Sequence, residues 1–254
     1  MRASARIVAE ADGLGGTRLA VLRGESPLLL RRTGTARTRP IDPIAVHLVA
    51  GAAGPLGGDR LRLAIEVRSG ARLDIFSVAA SLALPGRSGT PHSMLEIDAV
   101  VGPGAVLRWL PEPLIAASGC DHRAVTRVDV ADGGRLVWRD ELVCGRHGEQ
   151  SGRVRTDTTI RYAGSTLYRH ELAVGPGAPG WSGAAVLGGG RAVGSLVLAG
   201  PALPDPALPG GDAAVMRLAG PGVLASAVGA DMRHVRSALD PLCLPHLLCP
   251  PEPR

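Results

Sequence analysis

Hydrophobic and polar residues alternate over short stretches that glycines separate. Residues 60–67 read RLRLAIEV, with Leu61, Leu63, Ile65 and Val67 set between Arg60, Arg62 and Glu66. That period of two is the mark of a half-buried strand. After RSG comes a second strand, ARLDIF, ending at Phe76. The plan recurs at 93–110 (SMLEIDAV, VGPG, AVLRWL), at 124–139 (AVTRVDV, ADGG, RLVWR) and at 157–171 (DTTIRY, Ala163-Gly164, STLYRHE). Glycine suits each turn because a tight reversal needs positive φ, which glycine alone adopts without steric cost.

Leu73, Leu107 and Leu136 recur about every 30 residues, a spacing that raises the question of a solenoid. No repeat consensus survives beyond the glycine turn and the alternation. The predicted fold is therefore mainly β, a meander of stacked hairpins or a β-helix-like coil in one domain over 1–254, with a few short C-terminal helices. Residues 184–200 read as a further hairpin through Gly188-Gly189-Gly190, whose small inner positions allow close packing against a neighbour. The best helix candidate is 231–240, capped by Asp231 and stopped by Pro241. Residues 200–211 are a proline-rich connector, and 241–254 form an apolar, proline-broken tail expected to dock on the core.

Composition narrows the chemistry. All 28 basic residues are arginine, so every mechanism that needs a lysine amine is excluded, including Schiff-base catalysis and a P-loop lysine. Asn is also absent and Gln occurs once, a pattern that points to a GC-rich genome more than to selection for arginine. The net charge of +5 therefore says little about partners, and the arginines are scattered among apolar residues with few aromatics beside them, so no nucleic-acid partner is expected. No apolar run reaches the length of a membrane span, since 184–202 is interrupted by Arg191 and by glycines. The charged N-terminus lacks the apolar core of a signal peptide, so a cytoplasmic location without membrane contact is expected, with Cys120, Cys144, Cys243 and Cys249 reduced.

Gly175-Pro176-Gly177-Ala178-Pro179-Gly180 satisfies GxGxxG literally, but its prolines remove the amide donors that a phosphate cradle needs, so it reads as a loop. Cys243, His246 and Cys249 have metal-compatible spacing and supply three ligands where a structural zinc takes four; Cys120-Asp121-His122 could complete the set. A small metal-dependent hydrolase built on those ligands is the alternative reading. Carboxylates at strand ends are the other candidates: Asp59 after Gly57-Gly58, Asp140 and Glu141 after Trp138, and Glu149 and Glu171 beside neighbouring strands. Oxygen ligands of this kind hold a divalent cation loosely. No nucleophile, base and oxyanion site assembles, so the reading is non-enzymatic.

Three segments carry a family resemblance: Ala53-Gly54-Pro55-Leu56-Gly57-Gly58-Asp59-Arg60-Leu61, then Trp109-Leu110-Pro111-Glu112-Pro113-Leu114-Ile115, then Trp138-Arg139-Asp140-Glu141-Leu142 through Gly145-Arg146-His147-Gly148-Glu149. In this order and spacing, over roughly residues 18–240, the chain resembles the urease accessory protein UreD (UreH) family. The segment Ser77-Val78-Ala79-Ala80-Ser81-Leu82-Ala83-Leu84 departs from it, being apolar where relatives are polar and carry a lysine. The resemblance implies a β-rich, non-catalytic scaffold and metallochaperone for nickel insertion into urease. It implies three partners: apo-urease, a helical accessory protein and a nickel-carrying GTPase. No cofactor is then bound tightly; nickel passes through transiently along an internal tunnel, with Asp59, Asp140, Glu141, Glu149 and Glu171 as candidate transit ligands.

Overall fold

A computed structural model describes residues 1–33, 42–201, 203 and 213–248, the last six of these by backbone alone. In chain order the elements are β1 (Arg2–Ala11), β2 (Thr17–Gly24), β3 (Leu28–Thr33), β4 (Ile44–Ala50), β5 (Arg60–Val67), β6 (Arg72–Ser77), β7 (Ser81–Ala83), β8 (Ser93–Val101), β9 (Val106–Leu110), β10 (Leu114–Ala116), β11 (Asp121–Val130), β12 (Arg135–Val143), β13 (Arg153–Tyr162), β14 (Ser165–Val174), β15 (Ala192–Ala199), β16 (Ala213–Arg217), β17 (Gly222–Gly229) and α1 (Met232–Leu248).

The strands form a β-solenoid of about four turns with one C-terminal helix. One sheet runs β14-β13-β11-β8-β5-β1-β2 and the other β16-β17-β15-β12-β9-β6-β4-β3; β13-β11-β8-β5-β1 in the first and β12-β9-β6-β4 in the second are parallel, and the strands outside these runs pair antiparallel. Of the two arrangements that the pattern allowed, the coil is the one adopted. The strands on either side of a glycine turn, such as β5 and β6, lie in opposite sheets, and each pairs with its counterpart one turn later. The turns are corners between sheets, and Gly70, Gly104 and Gly133 take positive φ there. At 157–171, where the coil ends, β13 and β14 do form an antiparallel hairpin.

In-register stacking converts the 30-residue spacing into continuous columns. Ile44, Leu73, Leu107 and Leu136 are successive partners across β4, β6, β9 and β12, all but fully buried. On the facing sheet, Ile7, Ile65, Ala99, Val128 and Ile160 do the same. These columns meet as the main core. Burying a large aliphatic side chain contributes roughly 1.5–3 kcal/mol, so the inward face of every strand holds the register. Outward residues of the first sheet pair ionically across strands, as in Arg6 with Glu66 and Arg62 with Asp98.

The edge opposite the glycine corners carries longer loops that stack in their own ladder. β7 pairs with β10 and β10 with β12, so Ser81, Leu82 and Ala83 of the divergent 77–84 segment join the solenoid wall. The same ladder explains Gly57 of the Gly-Gly-Asp motif: a Cβ there would lie 2.5 Å from the Gly86 amide nitrogen.

The structure differs from the sequence reading in three elements. Gly188-Gly189-Gly190 does not join two strands, because the Gly188 and Gly189 amides bond back to the Gly183 and Ser182 carbonyls; β15 instead pairs with β12 and β17. Among the described residues there is one helix rather than a few. It also runs on through Pro241. A proline inside a helix costs about 3 kcal/mol, and Val235, Leu239 and Leu242 offset this by packing on the outer face of the second sheet. Most of the 200–211 connector, the side chains of Cys243 and His246, and Cys249 lie outside the described residues.

Candidate functional site

Strand β12 sets the site by alternation. Trp138 and Asp140 point between the sheets, as Leu136 does, while Arg139 and Glu141 point the other way, toward α1. Asp140 Oδ2 accepts hydrogen bonds from Trp138 Nε1 at 3.0 Å and from Thr158 Oγ1, on the facing sheet, at 3.2 Å. Burial pushes this carboxyl up to about 6, against the opposing effect of its donors. Tyr168, also interior, is pushed up to about 12 by burial and by the Asp140 charge. Trp109 stacks on Trp138, and its buried indole, close to Asp140, adds a further contribution that favours the carboxylate. The result is a polar pocket around one carboxylate in the interior of the coil.

The other four candidate carboxylates lie elsewhere. Glu141, with its side chain 1% exposed, accepts from Arg236 of α1 at 2.7 to 3.2 Å; Arg236 also donates to Glu112 at 3.0 Å, and Arg139 pairs with Asp240. This network fastens α1 to the second sheet. Asp59 is buried in the turn before β5, accepting from the Leu56 amide at 2.9 Å and from the Met1 amino group at 2.7 Å. Glu149 sits in the loop after β12, where Arg146 holds it down to about 2 and the Ser118 amide donates at 3.4 Å. Glu171 is exposed within the edge strand β14, 3.5 Å from Arg155. Among the described residues no three His, Cys, Asp or Glu side chains gather as a metal-holding group.

Asp140 and Glu141 are therefore mid-strand rather than at a strand end, since β12 continues to Val143. Sequence reasoning treated them as a pair, although the alternation through Leu136 and Trp138 already separates their faces. It also missed Arg236, Glu112, Thr158 and Tyr168. Nothing local marks these four, because each acquires its partner from a distant strand or from the helix.

Residues 1–251 match the model of the UreD urease accessory protein family. The chain belongs to that family. It is 49% identical over 246 residues to urease accessory protein UreD 3 of Streptomyces griseus, covering 94% of this chain and 95% of that protein. It is 45% identical to urease accessory protein UreD of Streptomyces avermitilis, over 94% and 95% of the two chains, and 42% identical to the UreD protein of Parafrankia sp., over 95% and 88%. UreD proteins are non-catalytic accessory proteins of urease maturation, which removes the metal-dependent hydrolase reading. Of the three motif segments, the first forms the Asp59 turn, the second places Trp109 beneath Trp138 and Glu112 beside Arg236, and the third holds Asp140 and the Arg146–Glu149 loop. No described helix is long and apolar enough to cross a membrane.

Proposed function

We propose that this UreD family chain is a cytoplasmic scaffold that bridges apo-urease to a helical accessory protein and a nickel-carrying GTPase, so that nickel reaches the urease active site. The full-length match to a urease accessory family carries this reading. The absence of lysine fits it, because a P-loop lysine must then come from a partner. Asp140 is the proposed transit ligand with the strongest geometry: an interior carboxylate with hydroxyl and indole donors around it offers a cation weak oxygen ligation that it can leave. Asp59, Glu141, Glu149 and Glu171 would serve only by exchanging their present hydrogen-bond and ion-pair partners for the metal.

Co-expression of urease subunits and the accessory partners, with and without this chain, tests the proposal. Nickel content and urea hydrolysis should both fall when the chain is omitted, and equal activity in its absence would refute it.

A further inference from the structure

The outer face of the first sheet meets water, and the parallel register sorts its charges into rows. Arg2 pairs with Arg60, Arg60 with Met94, Met94 with Arg123 and Arg123 with Arg155, so one row crosses β1, β5, β8, β11 and β13. Ala3, Leu61, His122 and Val154, each next to one of these arginines, are buried, so by alternation the arginines point outward. Strands about 4.8 Å apart make the row about 19 Å long. Arginines that look scattered along the chain are aligned on its surface.

The charge of this row is only partly met within the chain. Among the described residues Arg2 and Arg60 form no ion pair; Arg60 Nη1 donates to the His92 carbonyl at 2.5 Å and to the Asp59 carbonyl at 3.3 Å. Arg123 has a loose pair with Asp157 at 3.8 Å, and Arg155, its side chain 54% exposed, one with Glu171 at 3.5 Å. Those two carboxylates belong to the next outward row, which Arg62 and Glu96 continue. A basic band and a mainly acidic band therefore run side by side, about 7 Å apart.

We infer that this banded face docks a protein partner that presents a line of carboxylates, flanked by basic residues, to the arginine row. A phosphate backbone or an anionic membrane laid along the arginines would also meet Glu96, Asp157 and Glu171. Met94 stands at the centre of the row and no aromatic residue belongs to it, so nothing stacks on a base. A protein surface can match both bands at once, and complementarity of this kind sets partner choice and association rate. That the partner is one of the proteins of urease maturation rests on the urease-maturation reading.

The test compares two charge-matched variants of the full chain. Arg2→Glu with Arg155→Glu reverses the exposed ends of the row, and Arg32→Glu with Arg233→Glu changes net charge equally at exposed positions elsewhere. Biolayer interferometry measures each against immobilised apo-urease, helical accessory protein, GTPase, poly-L-glutamate and poly-uridylic RNA. The row variant should bind at least one of the three proteins about tenfold or more weakly than the control variant, mainly through slower association, and added salt should narrow the gap. Should reversal disturb folding, Arg2→Gln with Arg155→Gln should still weaken binding by about threefold. Equal affinity of row and control variants for every protein that binds would overturn the docking face. RNA bound by the wild type more tightly than any of the proteins, and released by the row variant, would overturn the choice of a protein partner. If none of the three proteins binds the wild-type chain, the maturation reading fails, and the ratio between variants on poly-L-glutamate decides the face by itself.

Discussion

Trp109 and Trp138 stack across adjacent turns of the solenoid, with ring centroids 4.9 Å apart and planes inclined by 11°. They are register partners on β9 and β12, so the stack is one rung of the parallel ladder resting on the next. Trp138 also donates to Asp140. One residue thus ties the core packing to the polar pocket.

Replacing Trp138 by Phe keeps most of the buried ring and removes the Nε1 donor. The Asp140 carboxyl should then titrate above about 6, because burial raises it and one opposing hydrogen bond is gone. Carbon-13 NMR of the Asp140 carboxyl across pH measures this, and an unchanged or lower midpoint would contradict it. Trp138→Ala, by contrast, should cost about 3–5 kcal/mol of stability in urea denaturation.

The raised Asp140 pKa has a definite sign for stability. The folded chain holds this proton more tightly than the unfolded chain, whose carboxyl titrates near its usual 3.8. The stabilisation is fully present below that value and is lost as pH rises through about 6. Asp140→Asn removes the dependence, so relative to wild type it should gain about 2 kcal/mol between pH values near 4 and 7. Denaturation midpoints at both pH values check this, and an equal difference at the two would refute the assignment. The same variant should lower nickel delivery to urease while leaving the fold intact.

Arg236 is the clasp of α1. Arg236→Ala leaves the Glu141 carboxylate, 1% exposed, with only Arg139 at 3.5 Å. The expected loss is about 3 kcal/mol, the order found when one partner of a buried pair is removed. Changing Arg236 to Met together with Glu141 to Leu should recover most of it. Hydrogen exchange should show α1 opening before the solenoid in the single variant, and equal protection would argue against the clasp.

Gly194 on β15 lets the helix seat closely. A Cβ there would lie 2.6 Å from Val235 Cγ1 and 2.9 Å from Leu239 Cδ1, the two fully buried helix residues. Gly194→Ala should lift α1 from the sheet at a cost of about 1–3 kcal/mol. Limited proteolysis within 230–242 should accelerate, and an unaltered cleavage rate would show that the helix accommodates the methyl group.

Much of this architecture was legible in local pattern. The alternation RLRLAIEV marks β5 and its inward face, and the glycines of 68–71, 102–105 and 131–134 mark the corners. The small residues of β15 announced a close neighbour, which is α1. The choice between hairpin and coil was not legible. A half-buried strand followed by a glycine turn has the same signature in either case, and parallel strands usually lie in sheets covered on both faces, where this alternation is lost. Here the outer face of the first sheet meets water, so its parallel strands keep the pattern of antiparallel ones. In α1, propensity stops the helix at Pro241 and packing carries it onward.

The sequence by itself determined the alternating strands on either side of the glycine turns, their buried faces and the family, because each depends on residues a few positions apart or on motifs in fixed order. The tertiary structure decided which strands pair, and that Asp140 meets Thr158 while Glu141 meets Arg236. Those contacts join residues 18 to 95 positions apart. Only when the coil closes does burial make the choice between one partner and another matter.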